Sequence, residues 1–194
     1  MSASAKTHTQ AQTHPAIVWI DCEMTGLDLF NDTIIEIACV VTDGELNVLE
    51  KGKDIVIHQP KSVMDSMNEW CKEHHGRSGL TQSVLESTTT MEQAEQAVLE
   101  LVKRHCPTPR TAILAGNSVH GDRVFLARCM PRLVEHLHYR IIDVSSVKEL
   151  AKRWNAKVAD GTPKKKMAHR ALDDILESIE ELRYMQKNFF VLSK

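Results

Sequence analysis

The chain has 194 residues, enough for one domain with its own core, and its 42% hydrophobic and 26% charged residues are ordinary for a globular protein. A formal net charge of −2 argues against a protein that grips a long nucleic acid through many phosphates, so any nucleic-acid substrate is expected to be short or held locally. The five cysteines (Cys22, Cys39, Cys71, Cys106, Cys129) are scattered, odd in number and without a C-x-x-C pair, which points to a reducing compartment and away from a disulfide framework or a zinc site.

Residues 1–15 are mostly Ser, Thr, Ala, Gln and His and form no apolar core of a secretory signal, so they read as a disordered tail ahead of a single domain over 16–194. The tail lacks acids, as an organelle transit peptide does, but it also lacks arginine. The cytoplasm is therefore expected, with mitochondrial import kept open. No apolar run is long enough for a membrane span, and no membrane partner is expected.

The first element is the apolar run Ile17-Val18-Trp19-Ile20, which ends in Asp21-Cys22-Glu23. In a strand, residues two apart share a face, so Asp21 and Glu23 point one way with Ile17 and Trp19, and Cys22 the other way with Val18 and Ile20. A strand apolar on both faces belongs in the middle of a sheet. Two acids at its tip are either solvated or compensated by a positive partner such as a divalent ion. A loop over 24–32 leads to a second central strand over 33–42. Asp43-Gly44 marks a hairpin, and 46–58 reads as a third strand interrupted around Gly52, making an antiparallel meander.

From Met64 the pattern turns helical. A short helix is predicted over 64–75 with Gly76 closing it, and another near 80–85. Thr89-x-x-Glu92 has the form of a capping box for a helix whose apolar stripe is Met91, Ala94, Val98, Leu101 and Val102, ended by Pro107 and Pro109. A short strand over 111–115 leads through Gly116-Asn117-Ser118 into a helix carrying Asp122. A strand at 140–142 follows, then a helix capped by Ser146-x-x-Glu149. Residues 155–168 read as a mobile basic loop. Lys164-Lys165-Lys166 in that loop either steers RNA or is simply solvated. A long helix runs from 169 to about 190 with Leu172, Ile175, Leu176, Ile179 and Leu182 on one stripe. Strands first, then helices alternating with short strands, indicate an α/β or α+β domain.

Three acidic places stand at strand ends or helix starts: Asp21 with Glu23, Asp122, and Asp173-Asp174 behind His169. Each has an ordinary explanation, because acids favour the first turn of a helix. Periodicity does not choose between Asp173 and Asp174, since both lie off the apolar stripe.

The order of these motifs carries a family resemblance. Asp21-Cys22-Glu23-Met24-Thr25-Gly26-Leu27-Asp28 resembles the first motif of the DEDDh 3′→5′ exonucleases, with the Met-Thr-Gly-Leu continuation of the oligoribonuclease family. Gly116-Asn117-Ser118-Val119-His120-Gly121-Asp122 is similar to the second motif, and His169-Arg170-Ala171-Leu172-Asp173-Asp174 to the third, a histidine five residues before the catalytic aspartate. The similarity spans roughly 16–190. Gly121 departs from it, standing where the family usually carries a larger side chain.

The resemblance implies a ribonuclease H-like exonuclease fold, a mixed five-stranded sheet flanked by helices, in a single exonuclease domain over 16–194. It implies two-metal hydrolysis of a phosphodiester, with two divalent cations, Mg²⁺ or Mn²⁺, on Asp21, Glu23, Asp122 and Asp174, and His169 as general base. The family spacing selects Asp174 over Asp173 provided that His169 precedes the helix. The substrate implied is short single-stranded RNA, dinucleotides above all. Leu27 and Trp70 look like the wedge and stacking residues, although core burial is the alternative for Trp70. His74 looks like a further substrate contact. Ser118, Tyr139, Arg140 and Ser145 resemble a cap for the terminal phosphate. In the family the Tyr and Arg come from the other subunit, which implies a homodimer. The competing readings are a broader DEDDh nuclease acting on tRNA 3′ ends or DNA, and an inactive RNA-binding module.

Overall fold

The computed structural model describes residues 15–163 and 170–190. Almost all of the expected tail, the lysine run 164–166 and His169 lie outside the described residues.

The sheet is built around β1 (Ile17–Met24). This strand pairs antiparallel with β2 (Ile34–Thr42) along its whole length, from Ile17 opposite Thr42 to Met24 opposite Ile34, with an irregularity after Glu23. On its other side it pairs parallel with β5 (Ile113–Gly116), which pairs parallel with β6 (Ile141–Asp143). The predicted third strand is split into β3 (Val48–Lys51) and β4 (Ile55–Val56), both antiparallel to β2. The break falls at Gly52, where a Cβ would meet the Cys39 carbonyl oxygen at 2.8 Å. The strand order is β3-β2-β1-β5-β6 with β4 beside β2, a mixed sheet of the expected kind.

Alternation along β1 divides the core. Val18, Ile20 and Cys22 face one side, where α4 (Met91–His105), α5 (His120–Cys129) and α6 (Pro131–His136) pack on the sheet. Ile17 and Trp19 face the other side, against Ala171, Ile175 and Ile179 of α9 (Ala171–Asn188). The acids that follow Trp19 on its face therefore point towards the start of α9.

Local chemistry moves several expected boundaries. The helix over 64–75 is two pieces, α1 (Lys61–Asp65) and α2 (Glu69–Arg77), because the Asn68 side chain accepts from Cys71 N and starts a new helix. Gly76 lies inside α2, and Gly79, at φ 77°, precedes α3 (Leu80–Glu86). The capping box of α4 is one residue later than expected. Thr90 Oγ1 accepts from Gln93 N at 3.2 Å and Gln93 Oε1 from Thr90 N at 2.9 Å, while Thr89 N donates to Ser87 Oγ. Helix α7 (Val144–Trp154) is capped by Asp143 rather than Ser146. Helix α6, with Pro131 in its first turn, was not expected, and α8 (Ala156–Asp160), capped by Asn155, occupies the start of the predicted basic loop. Among the described residues, no helix is long and apolar enough to cross a membrane.

Candidate active site

Oxygen atoms of Asp21, Glu23 and Asp174 lie within 4.8 Å of one another. Two come from the tip of β1 and one from the first turn of α9, the helix packed on that face of the strand. Asp174 is half-buried in the cluster, whereas Asp173 is exposed. Helix α9 begins at Ala171, after position 169 in the chain.

Asp122 stands beside this group. It is 7% exposed, and its Oδ1 accepts from the backbone N–H of Cys22, the residue between the two β1 acids, at 3.0 Å.

Crowded, buried carboxylates favour their protonated forms. Burial, then the charges of Glu36, Asp174 and Asp122, push Glu23 up to about 8, against the opposing pull of Arg170. Burial raises Asp122 to about 7, although Cys22 N–H bonding favours its charged form. Burial, then the charges of Asp122, Asp21 and Glu23, hold the Cys22 thiol well above its usual range, so it is no nucleophile. An all-oxygen donor set with surplus negative charge fits a hard divalent cation.

A cavity of about 380 Å³ opens next to Glu23, between Leu27 on the β1–β2 loop and Trp70 on α2. Both side chains are exposed, Leu27 by 82% and Trp70 by 60%, so Trp70 is not a core residue. Trp70 stacks on His74, with ring centroids 3.8 Å apart and planes 19° apart. The loop bearing Leu27 is built stiffly. Asp28 Oδ1 accepts from Phe30 N, Asp32 Oδ1 from Thr25 Oγ1, and Arg128 donates to the carbonyls of Leu29 and Asp32.

His75, next to the predicted His74, also lines the cavity and is 3% exposed. Its Nε2 sits 2.9 Å from the Met24 carbonyl oxygen, which only accepts, so Nε2 carries the proton. Its Nδ1 lies 4.0 Å from Glu23 Oε2. The doubled histidine in Glu73-His74-His75 was the available signal for it.

Ser118 and Ser145 are brought together, Oγ to Oγ at 3.3 Å, by Asp143. Asp143 Oδ1 accepts from Ser118 N at 2.9 Å, Ser145 N at 3.0 Å and Ser145 Oγ at 2.6 Å. Burial works against its ionisation, but these bonds and that of His120 win and hold Asp143 below the usual carboxylate range. Tyr139 and Arg140 stand exposed on the approach to β6, the guanidinium over the phenol ring at 5.2 Å.

A mixed sheet with acids at the tip of its central strand and at the start of a crossing helix is the frame of a nuclease of the exonuclease class, and the exonuclease family model RNase_T matches residues 18–182. The mitochondrial oligoribonuclease of Bos taurus is 55% identical over 174 residues, covering 90% of this chain and 73% of that protein. The oligoribonuclease of Nocardia farcinica is 53% identical over 175 residues, covering 90% of this chain and 81% of the relative. The chain belongs to the oligoribonuclease family of exonucleases. The structure of E. coli exonuclease I with a dA16 oligonucleotide superposes with a TM-score of 0.68 at 14% identity over 90% of this chain. That likeness is one of fold, and this chain spans 41% of the exonuclease I chain.

Proposed function

We propose that the chain is a 3′→5′ exoribonuclease that hydrolyses very short oligoribonucleotides, dinucleotides above all, to 5′-mononucleotides. The observation that carries this reading is the grouping of Asp21, Glu23 and Asp174 within 4.8 Å, beside a cavity walled by Leu27 and Trp70. Asp21, Glu23, Asp122 and Asp174 would hold two divalent cations, Mg²⁺ or Mn²⁺. When bound, such a pair supplies an activated water and stabilises the leaving oxygen. His169 takes the proton of the attacking water as general base, a task suited to an imidazole.

Trp70 and Leu27 receive the bases by stacking and wedging, contacts that do not depend on base identity. His74 supports the Trp70 face. Ser118 and Ser145, aligned by Asp143, receive the terminal phosphate together with Tyr139 and Arg140, and hydroxyl and guanidinium donors suit that charge. The active form is a homodimer in which Tyr139 and Arg140 serve the neighbouring subunit. The exposure of Tyr139 and, on α7, of Trp154 (71%) supports such an interface. All five cysteines are free, in keeping with a reducing compartment, the cytoplasm or the mitochondrion.

The test is hydrolysis of 5′-phosphorylated RNAs from two to about ten nucleotides, with light scattering of the same sample. Dinucleotides should turn over fastest, and the protein should scatter as a dimer. Equal rates at all lengths would favour the broader nuclease, and binding without cleavage the inactive module.

A further inference from the structure

Glu36 is a lone charge in a wholly buried strand. It lies on β2 opposite Glu23 in register, so the two acids share a sheet face, and its exposure is 0%. Its partners come from the far end of the chain. Oε1 accepts from Arg170 Nε at 3.2 Å and Nη2 at 2.9 Å, and Oε2 accepts from Ala171 N at 3.4 Å. Asp54, just ahead of β4, accepts from Leu172 N at 3.0 Å, and its other oxygen lies 3.9 Å from Arg170 Nη2.

A helix start leaves its first N–H groups without intrahelical partners. The N-cap residue of α9 is Arg170, whose side chain caps nothing. The caps are instead supplied by Glu36 from the sheet and Asp54 beside it. They also fix where the first turn of α9 sits, and Asp174 is in that turn.

We propose that Glu36, Arg170 and Asp54 form a clamp that positions Asp174 against Asp21 and Glu23 and thereby sets metal affinity and turnover. The clamp rests on the reading of Asp174 as a metal ligand. Its members are positioning residues. Arg170 also offsets part of the buried Glu36 charge behind Glu23.

The experiment is Mn²⁺ titration by calorimetry without substrate, alongside dinucleotide kinetics and melting curves. Glu36→Gln and Asp54→Ala should each weaken Mn²⁺ binding about ten-fold and lower kcat by roughly ten- to one-hundred-fold, with KM within about two-fold. Combined with Asp174→Glu, which already displaces the carboxylate, either change should weaken binding by clearly less than the product of the separate losses. Arg170→Lys, which keeps the charge but loses the fork, should fall between wild type and Arg170→Met. Losses that multiply in full, or lower melting temperatures with Mn²⁺ binding intact, would overturn the clamp. Asp54 is only half-buried, unlike Glu36, so Asp54→Ala carries the test if Glu36→Gln does not fold. Asp174→Asn tests the ligand reading separately: unchanged Mn²⁺ binding there would remove that reading, whatever the cycle gives.

Discussion

The backbone N–H of Cys22 donates to Asp122 Oδ1 at 3.0 Å, across a separation of 100 residues. One carboxylate thus pins α5 to β1 between the two acids it is expected to work with. These roles separate by mutation. Asp122→Asn keeps the accepting oxygen, so its melting temperature should stay close to wild type while dinucleotide hydrolysis falls by about 100-fold or more. Asp122→Ala also leaves the buried N–H unpaired and should cost a further ~1–3 kcal/mol of stability. Melting curves and initial rates on the same samples check both.

The raised carboxyls give a pH signature. Glu23 (about 8) and Asp122 (about 7) hold protons in the fold that they release near pH 4 when unfolded. Between those values the folded state binds more protons, so metal-free stability falls as pH rises. With EDTA, stability should drop by roughly 1–3 kcal/mol from pH 5 to pH 8.5 after allowance for solvent, and the melting temperature with it. Mg²⁺, which on the proposed reading binds the ionised acids, should restore it at pH 8.5 and do little at pH 5. A melting temperature that rises with pH in EDTA would contradict this.

The two adjacent aspartates should separate cleanly. Asp173 is exposed and Asp174 belongs to the acid cluster. Asp173→Asn is expected to stay within about two-fold of wild-type activity, and Asp174→Asn to lose about 100-fold or more. Steady-state assays at saturating Mg²⁺ decide between them.

Much of the fold was legible before any coordinates, and the reasons differ from element to element. Apolar alternation marked β1 and β2, and helical period marked α4 and α9, because burial imposes those patterns directly. Side-chain caps were less legible. Three threonines in a row before α4 all suit the N-cap, and only the competing bond of Thr89 N to Ser87 Oγ selects Thr90. Trp70 could not be assigned to core or surface from sequence, since a tryptophan serves either. His75 and Glu36 were passed over for opposite reasons. His75 hid beside His74, which looked equally suitable. Glu36 sat in a strand otherwise so apolar that its single charge was read through, although a buried acid always needs a partner.

Trp70 offers a test of the cavity. Its face is exposed and its ring contacts His74, so truncation should barely affect folding. Trp70→Ala should raise KM for a dinucleotide by about 5- to 150-fold, the equivalent of ~1–3 kcal/mol of lost stacking, and leave the melting temperature nearly unchanged. A large stability loss with normal KM would return Trp70 to a structural role.

Gly121 departs from the usual larger residue of the second motif, and the space for one is present. A Cβ built there meets nothing within 4 Å. It lies in the first turn of α5, so Gly121→Ala should stabilise by about 0.5–1 kcal/mol through lower unfolded-state entropy. Activity should stay within about two-fold, measured by dinucleotide hydrolysis beside a urea melt.

The pairing of β1 on both edges has a consequence for folding fidelity. From Ile17 to Met24 the strand is matched to β2, and its first three residues are also matched to β5. A slip of one residue would turn Asp21 and Glu23 towards the core side of α4 and α5 and put Cys22 in the place of an acid of the cluster. Such a chain could neither bury that face nor assemble the acid cluster. Turnover therefore doubles as a reporter of strand alignment: every molecule that cleaves its substrate has β1 in register.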